Sequence, residues 1–265
     1  MLDTPIGHSL PVTPRAQVAE LVDALASGAS GLRAVEVRVF SWAPHRRDVA
    51  ATRKEAAMAS APKIHLHQND LPDGLDLGDT VAIDTETTGL SLVRDRLCLA
   101  QLSGNGADCH LVQFRHPATY DAPVLRALLA DPNVLKLFHY GRFDIAMLER
   151  HIGQIGGKVY CTKIASKLVR TYTDRHGLKD LCRELLGIDL SKEQQSSDWG
   201  ADTLSPKQQN YAAQDVLYLH RLREKLDTML AREGRTDLAQ SCFDFLPKRV
   251  ALDMGGWPED DIFSH

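Results

Sequence analysis

From Thr80 onward the chain is patterned as short apolar runs bounded by Gly, Asn and Asp. Val81-Ala82-Ile83-Asp84, the run 97–102 and the run 109–114 predict three neighbouring strands with hairpin-like links. Apolar residues at 124, 125, 128 and 129 predict a helix after Pro123. Val134-Leu135-Lys136-Leu137-Phe138 predicts a fourth strand, residues 142–151 a helix, and 159–161 a fifth strand. Beyond this point the spacing is helical over 162–169, 177–186 and one long segment from 206 to 232. Strands first, then alternation, then helices predict a single α/β domain with a mixed sheet covered by helices. Phe243, Phe245, Leu246, Trp257 and Phe263 follow no helical period, so this last stretch is expected to wrap the core or a neighbouring subunit.

Residues 1–57 have a different texture. Ala, Ser, Gly, Pro and Arg dominate, and no period persists beyond the short stretch 18–25, so a poorly ordered arm is expected. Written back through the genetic code, Glu20-Leu21-Val22-Asp23 can read GAA TTG GTA GAC, which resembles the D-arm of a bacterial leucine tRNA gene. Glu36-Val37-Arg38-Val39 can be encoded to resemble a T-arm. The expectation is an upstream tRNA gene translated in frame, a natural start at Met58 and a functional domain spanning 58–265. A targeting or regulatory arm is the alternative.

Composition narrows the chemistry. The 265 residues are 43% hydrophobic and 25% charged, and 31 Lys and Arg against 35 Asp and Glu give a net charge of -4. No global positive field draws the protein to a polyanion, so local basic residues or metal ions would have to hold one. No apolar run approaches the ~20 residues that cross a bilayer, and no basic, then apolar, leader follows Met1. The expectation is a cytoplasmic protein without membrane partners. The five cysteines form no C-x-x-C pair and are expected as buried thiols rather than a zinc site or disulfides.

Asp84-Thr85-Glu86 ends an apolar strand, and a period of two puts both carboxylates on one face. Two acids side by side repel each other unless a cation lies between them, which points to a divalent metal; a solvated strand end is the other reading. Asp144 falls in the first turn of a helix directly after a strand, where the helix N-terminus favours an anion. Tyr211 and Asp215 stand four residues apart on one helical face.

In this order and on these elements the three blocks resemble the motifs of the DEDD superfamily of 3'-5' exonucleases, with Tyr211 marking the Tyr-type subgroup. The resemblance implies a ribonuclease-H-like fold, a mixed five-stranded sheet flanked by helices. It implies that Asp84, Glu86, Asp144 and Asp215 bind two divalent ions, Mg²⁺ or Mn²⁺, about 4 Å apart. Tyr211 would orient or help deprotonate the attacking water. Over almost all of 58–265 the chain is similar to the short ribonuclease-D-like family that includes nano-RNase C. Residues 161–168, 170–179, 190–199 and Gly256-Trp257-Pro258-Glu259-Asp260-Asp261-Ile262-Phe263 carry that likeness, and Tyr140 departs from it where Phe is more usual.

The resemblance implies an exoribonuclease that releases nucleoside 5'-monophosphates from short single-stranded RNA, dinucleotides above all, and that assembles as a homo-oligomer, a ring of eight. Full-length ribonuclease D carries further helical domains after the catalytic one, and with no such domains read in these 265 residues the expectation is short substrates. Trimming of longer RNA or DNA, or a silent site in a nucleic-acid-binding protein, are the rivals. Leu90, beside the first motif, is the candidate wedge between bases. Lys163, Lys167, Arg170, Arg175, His176 and Lys179 are candidates for a cap on the 5'-phosphate. Thr87, Arg142, Lys192 and Trp199 are further candidate substrate contacts. His139 also joins that set, although a core or supporting role suits it, as it does His110.

A start at Met58 makes a simple demand on the native protein. Mass spectrometry should find no peptide from within residues 15–46, and an abundant one would refute the proposed start.

Overall fold

The computed structural model describes residues 62–104, 106–191 and 196–264. The readings made for residues 1–57 and for Lys192 lie outside them. Strands β1 (Lys63–Gln68), β2 (Thr80–Thr87), β3 (Leu97–Ser103) and β4 (Asp108–Gln113) are followed by α1 (Pro123–Ala130), β5 (Leu135–Phe138), α2 (Arg142–His151) and β6 (Val159–Cys161). Then come α3 (Thr162–Val169), α4 (Leu178–Leu181) with a π turn at Cys182–Leu186, α5 (Pro206–Leu217), α6 (Leu219–Arg232) and α7 (Thr236–Met254).

The sheet has six strands in the order β1-β4-β3-β2-β5-β6. The β4-β3-β2 centre is antiparallel, while β1 joins β4, and β5 and β6 join β2, in parallel. The mixed, helix-covered sheet agrees with the expected class, with one strand more than the five expected. That strand is β1, whose sequence KIHLHQ has only two apolar residues and is largely open to solvent. An edge strand buries too little to write a strong apolar signature.

β3 is buried along its whole length, so alternation vanishes there and a continuous apolar run remains. Ile83, Leu99, Leu102, Leu111, Leu125, Leu137 and Phe138 are fully buried in one core. Four of the five cysteines, Cys98, Cys109, Cys161 and Cys182, are buried free thiols, and Cys242 is half-buried. Among the described residues no helix is long and apolar enough to cross a membrane.

Two helical expectations need correction. The segment 206–232 is two helices broken at Tyr218, yet Val216, Leu217, Leu219 and Leu222 stay buried through the break, so the apolar pattern runs on. The stretch from Phe243 is largely helical. Ala239, Phe243, Leu246, Val250 and Asp253 form the buried stripe of α7, at steps of three and four. Pro247 within the helix and a carboxylate in the stripe disguise the period. Only the stretch beyond Met254 lacks regular structure.

Polar groups are also buried where loops must be held. Arg170 is fully buried. It donates to Ser166 Oγ at 3.1 Å and to the Arg175 carbonyl at 2.6 Å, and pairs with Glu184. Replacing Arg170 with Met strands these acceptors in the interior and should lower the free energy of urea unfolding by about 2–3 kcal/mol. Glu184→Gln, at a side chain one-third exposed, should cost about 1 kcal/mol.

Candidate active site

β2 ends among its neighbours with Asp84 and Glu86 half-buried and Thr85 buried between them. Opposite Asp84 in the antiparallel register stands Gln101, fully buried on β3, whose Nε2 donates to Asp84 Oδ2 at 3.3 Å. Thr85 Oγ1 donates to Asp144 Oδ1 at 2.6 Å. The chain reaches Asp144 through a tight turn after β5: Tyr140 adopts φ 63°, and Gly141 lies so close to Phe138 that a Cβ would sit 2.5 Å from the Phe138 Cβ. This compact link brings the first turn of α2 to the end of β2.

The fourth acid comes from above the sheet. α5 starts with a capping box: the Gln208 amide donates to Ser205 Oγ, and Gln208 Oε1 accepts from the Ser205 amide, with Pro206 at the first helical position. The cap sets the start of the helix, and one face then presents Tyr211 and Asp215. Carboxylate oxygens of Asp84, Glu86 and Asp215 lie within 4.8 Å of one another. The ring of Trp199 stands 6.1 Å from that of Tyr211.

Electrostatics show what this costs. Burial, then repulsion from Asp144, Asp215 and Glu86, holds the Asp84 carboxyl well above the usual carboxylate range. Burial, then repulsion from Asp215 and Asp144, pushes Glu86 to about 9. Burial raises Asp144 to about 7, against the Thr85 hydrogen bond, and burial with the Asp144 charge raises Asp215 to about 7. Among the described residues no Lys, Arg or His forms an ion pair with any of the four. An acid cluster with only oxygen donors and, among the described residues, no paired cationic side chain fits hard divalent cations. Tyr211 is held neutral, its phenol raised by burial and then by Asp215, Glu86 and Asp84.

Two clefts meet at the cluster. One of about 750 Å³ is bordered by Asp84, Asp144, Leu90, Tyr140, Pro258 and Glu259. The other, about 240 Å³, is bordered by Asp215, Tyr211, Lys179 and Leu190. His139 lines both.

This geometry agrees with the comparisons to known proteins. A family profile described as 3'-5' exonuclease matches residues 66–231. The chain belongs to the 3'-5' exonuclease family. Within that family it is similar to Brucella melitensis NrnC, whose structure bound to pGG superposes with a TM-score of 0.74 at 52% identity, covering 77% of this chain and 99% of that one. The Brucella melitensis NrnC structure with bound Mg²⁺ gives a TM-score of 0.73 at 51% identity, over 77% and 99% of the two chains. Ribonuclease D of Gluconacetobacter diazotrophicus is 35% identical over 161 residues, 61% of this chain and 40% of that protein. The chain thus spans about 40% of the length of the curated ribonuclease D relatives it matches. The ribonuclease-D-like, NrnC-like resemblance drawn from the motifs is thereby established.

The remaining candidates of this exonuclease scatter. Leu90 is 85% exposed at the larger cleft. Its loop closes through Asp95, which accepts from the Ser91 amide at 2.8 Å, and a Cβ on Gly89 would sit 2.4 Å from Asp95 Oδ2. Thr87 Oγ1 donates to the Gly89 carbonyl in the same loop. His139 Nδ1 bonds Thr162 Oγ1 at 2.9 Å, and burial, then the Lys163 charge, pushes the ring down to about 3, so it is neutral. Lys163 Nζ lies 3.5 Å over the Tyr140 ring beside the larger cleft.

Others are engaged elsewhere. Arg142 pairs with Asp253 rather than with the carboxylate cluster, while its side chain borders the larger cleft. Arg170 is buried under the loop 171–176, with His176 bonded to Ser166 at 2.8 Å and Arg175 exposed. Trp199 is only 4% exposed, so its face supports Tyr211 and is closed to a base. Gln101 and Thr85, which hold two of the acids, escaped sequence reasoning. A lone polar residue amid the apolar run of β3 was the one available signal.

Folding without metal takes up protons at these acids, because their folded pKa values lie above the unfolded ones of about 4. Stability is therefore complete below about pH 4 and declines as pH rises through about 7 for Asp144 and Asp215 and about 9 for Glu86. In chelator the melting temperature should fall from pH 5 to pH 9, and added Mg²⁺ or Mn²⁺ should restore it more at pH 8 than at pH 5. A melting temperature indifferent to both would contradict the cluster's role.

Proposed function

We propose that the protein is a metal-dependent 3'-5' exoribonuclease that releases nucleoside 5'-monophosphates from short RNA, with dinucleotides favoured. The observation that carries this reading is the convergence of Asp84, Glu86, Asp144 and Asp215 with a neutral Tyr211 at the junction of two clefts. Support for the short substrate comes from the 52% identity to NrnC, a structure of which holds pGG.

In this reading the four carboxylates hold divalent ions, two in number. When bound, these supply Lewis acidity toward the phosphodiester and the counter-charge that the cluster and the substrate phosphate both lack. The residues of the chain do the rest. Tyr211, backed by Trp199, keeps its proton and orients a water against the phosphorus by hydrogen bonding. Thr85 and Gln101 hold Asp144 and Asp84 in their rotamers. Leu90 offers an apolar face for a base, a contact that tolerates any sequence. His139, neutral at working pH, can meet a sugar or phosphate without adding charge. Oligomeric assembly through the aromatic C-terminal region belongs to the same proposal.

A second reading, trimming of longer RNA, draws on the 35% identity to ribonuclease D. A turnover series with 5'-labelled RNAs and DNAs of two to ten nucleotides separates the two: a maximum at two nucleotides supports the first, and activity flat with length supports the second. Asp84→Asn should reduce kcat at least about 10³-fold, and Tyr211→Phe about 10²-fold with little change in KM. Undiminished turnover by Asp84→Asn would overturn the metal assignment.

A further inference from the structure

Trp199 backs Tyr211 with its ring, yet nothing polar holds the indole itself. It is 4% exposed, and its Nε1 has no acceptor among the described residues. Its place is set by the backbone on either side. The Asp198 carbonyl accepts from Gln208 Nε2 at 3.1 Å, the Ala201 carbonyl from Gln113 Nε2 at 2.9 Å, and the Gly200 carbonyl from Arg96 Nη2 at 3.2 Å. The first tether belongs to the helix that carries Tyr211 and the second to β4. The third comes from the residue that pairs with the end of β2.

Arg96 directly precedes β3 and meets β2 just past the irregularity between Glu86 and Thr87. The Thr88 amide donates to the Arg96 carbonyl at 3.1 Å, and the Arg96 amide donates to Thr88 Oγ1 at 3.0 Å. The guanidinium then spans two carbonyls, Phe114 through Nη1 at 3.2 Å and Gly200 through Nη2 at 3.2 Å. A rigid planar fork suits this double reach, whereas an ammonium is a point charge on a flexible stem. Gly200 lets the fork come close: a Cβ there would lie 3.0 Å from Arg96 Nη2 and 3.6 Å from Thr88 Cγ2. Arg96 is thus bound through its backbone to Thr88, two residues after Glu86, and through its side chain to Gly200, next to Trp199.

We propose that Arg96 is a positioning residue for Tyr211: it ties the loop carrying Trp199 to the end of β2 and so holds the phenol in register with the carboxylates. The inference rests on the exonuclease reading above and deepens it. Orienting a water against phosphorus is sensitive to distance, since a misplacement of about 1 Å costs up to about 10²-fold in rate. Asp215 sits on α5 beside buried Ala212 and Val216, whereas Tyr211 is half-buried and leans on Trp199. Loosening the loop therefore moves the phenol and leaves the carboxylates in place. The metal ligands keep their geometry while the water loses its orientation.

The test uses the full chain and the RNA on which the native protein turns over fastest. Arg96→Lys should lower kcat about 10-fold and leave KM, and the Mn²⁺ affinity measured by calorimetry, within about 2-fold of native. Gly200→Ala, which displaces the guanidinium without removing a buried side chain, should do the same. Both variants should accelerate amide hydrogen exchange in 198–202 and leave β2 and β3 protected, which separates a freed loop from unfolding. In a Tyr211→Phe background Arg96→Lys should cost less than about 2-fold in kcat, because effects that pass through one group do not add. The whole loss persisting in that background, or an unchanged kcat in both single variants, overturns this inference alone. A native chain without metal-dependent turnover on any RNA overturns the exonuclease reading with it.

Discussion

Four carboxylates crowded at the end of a hydrophobic strand repel one another, and burial removes the water that would screen them. Nothing in the described chain neutralises them. Thr85 and Gln101 touch Asp144 and Asp84 with neutral groups, which fix rotamers without relieving charge. The fold is therefore strained electrostatically at one point and relaxed by divalent cations, so metal affinity and latent instability have the same origin.

Much of the architecture serves to bring those four groups together. An antiparallel centre places Gln101 opposite Asp84, the Tyr140-Gly141 turn swings α2 to the strand end, and a capped α5 lowers Tyr211 and Asp215 onto the pair from above. Each device is local, yet the acids come from a strand and two helices separated by more than a hundred residues of sequence. The core beneath, dense with Leu, Ala and Val, gives these elements one way to pack.

The cations of the chain are used differently from the cations of its ligands. Arg170 holds up a loop from inside, Lys136 donates to two backbone carbonyls from a fully buried position, and Arg142 ties the stretch beyond α7 to α2. A protein with net charge -4 that is read as binding RNA thus has several of its basic side chains committed to its own backbone and acids. Metal counter-charge at the cluster, with half-buried residues such as Lys163 and Lys179 beside the clefts, is left for the substrate.

Sequence alone determined the fold class, because apolar runs and helical spacings record burial directly, and it pointed to the acid quartet through the resemblance of three spaced blocks to the exonuclease motifs, since D-x-E on a strand, an Asp in a first helical turn and Tyr-x-x-x-Asp on a helix each say little alone. It could not determine β1, whose edge position leaves half its residues in solvent, or α7, whose buried stripe includes Pro247 nearby and Asp253 within it. Nor could it assign the basic residues. Arg142, Arg170 and Lys163 look alike on paper, and a guanidinium facing solvent, a buried carboxylate or a cleft is written with the same letter. Which partner each meets depends on residues distant in sequence, Asp253 for Arg142 and Glu184 for Arg170. Tertiary packing alone decided those pairings, since an ion pair is a relation between two places in space and a sequence records only one at a time.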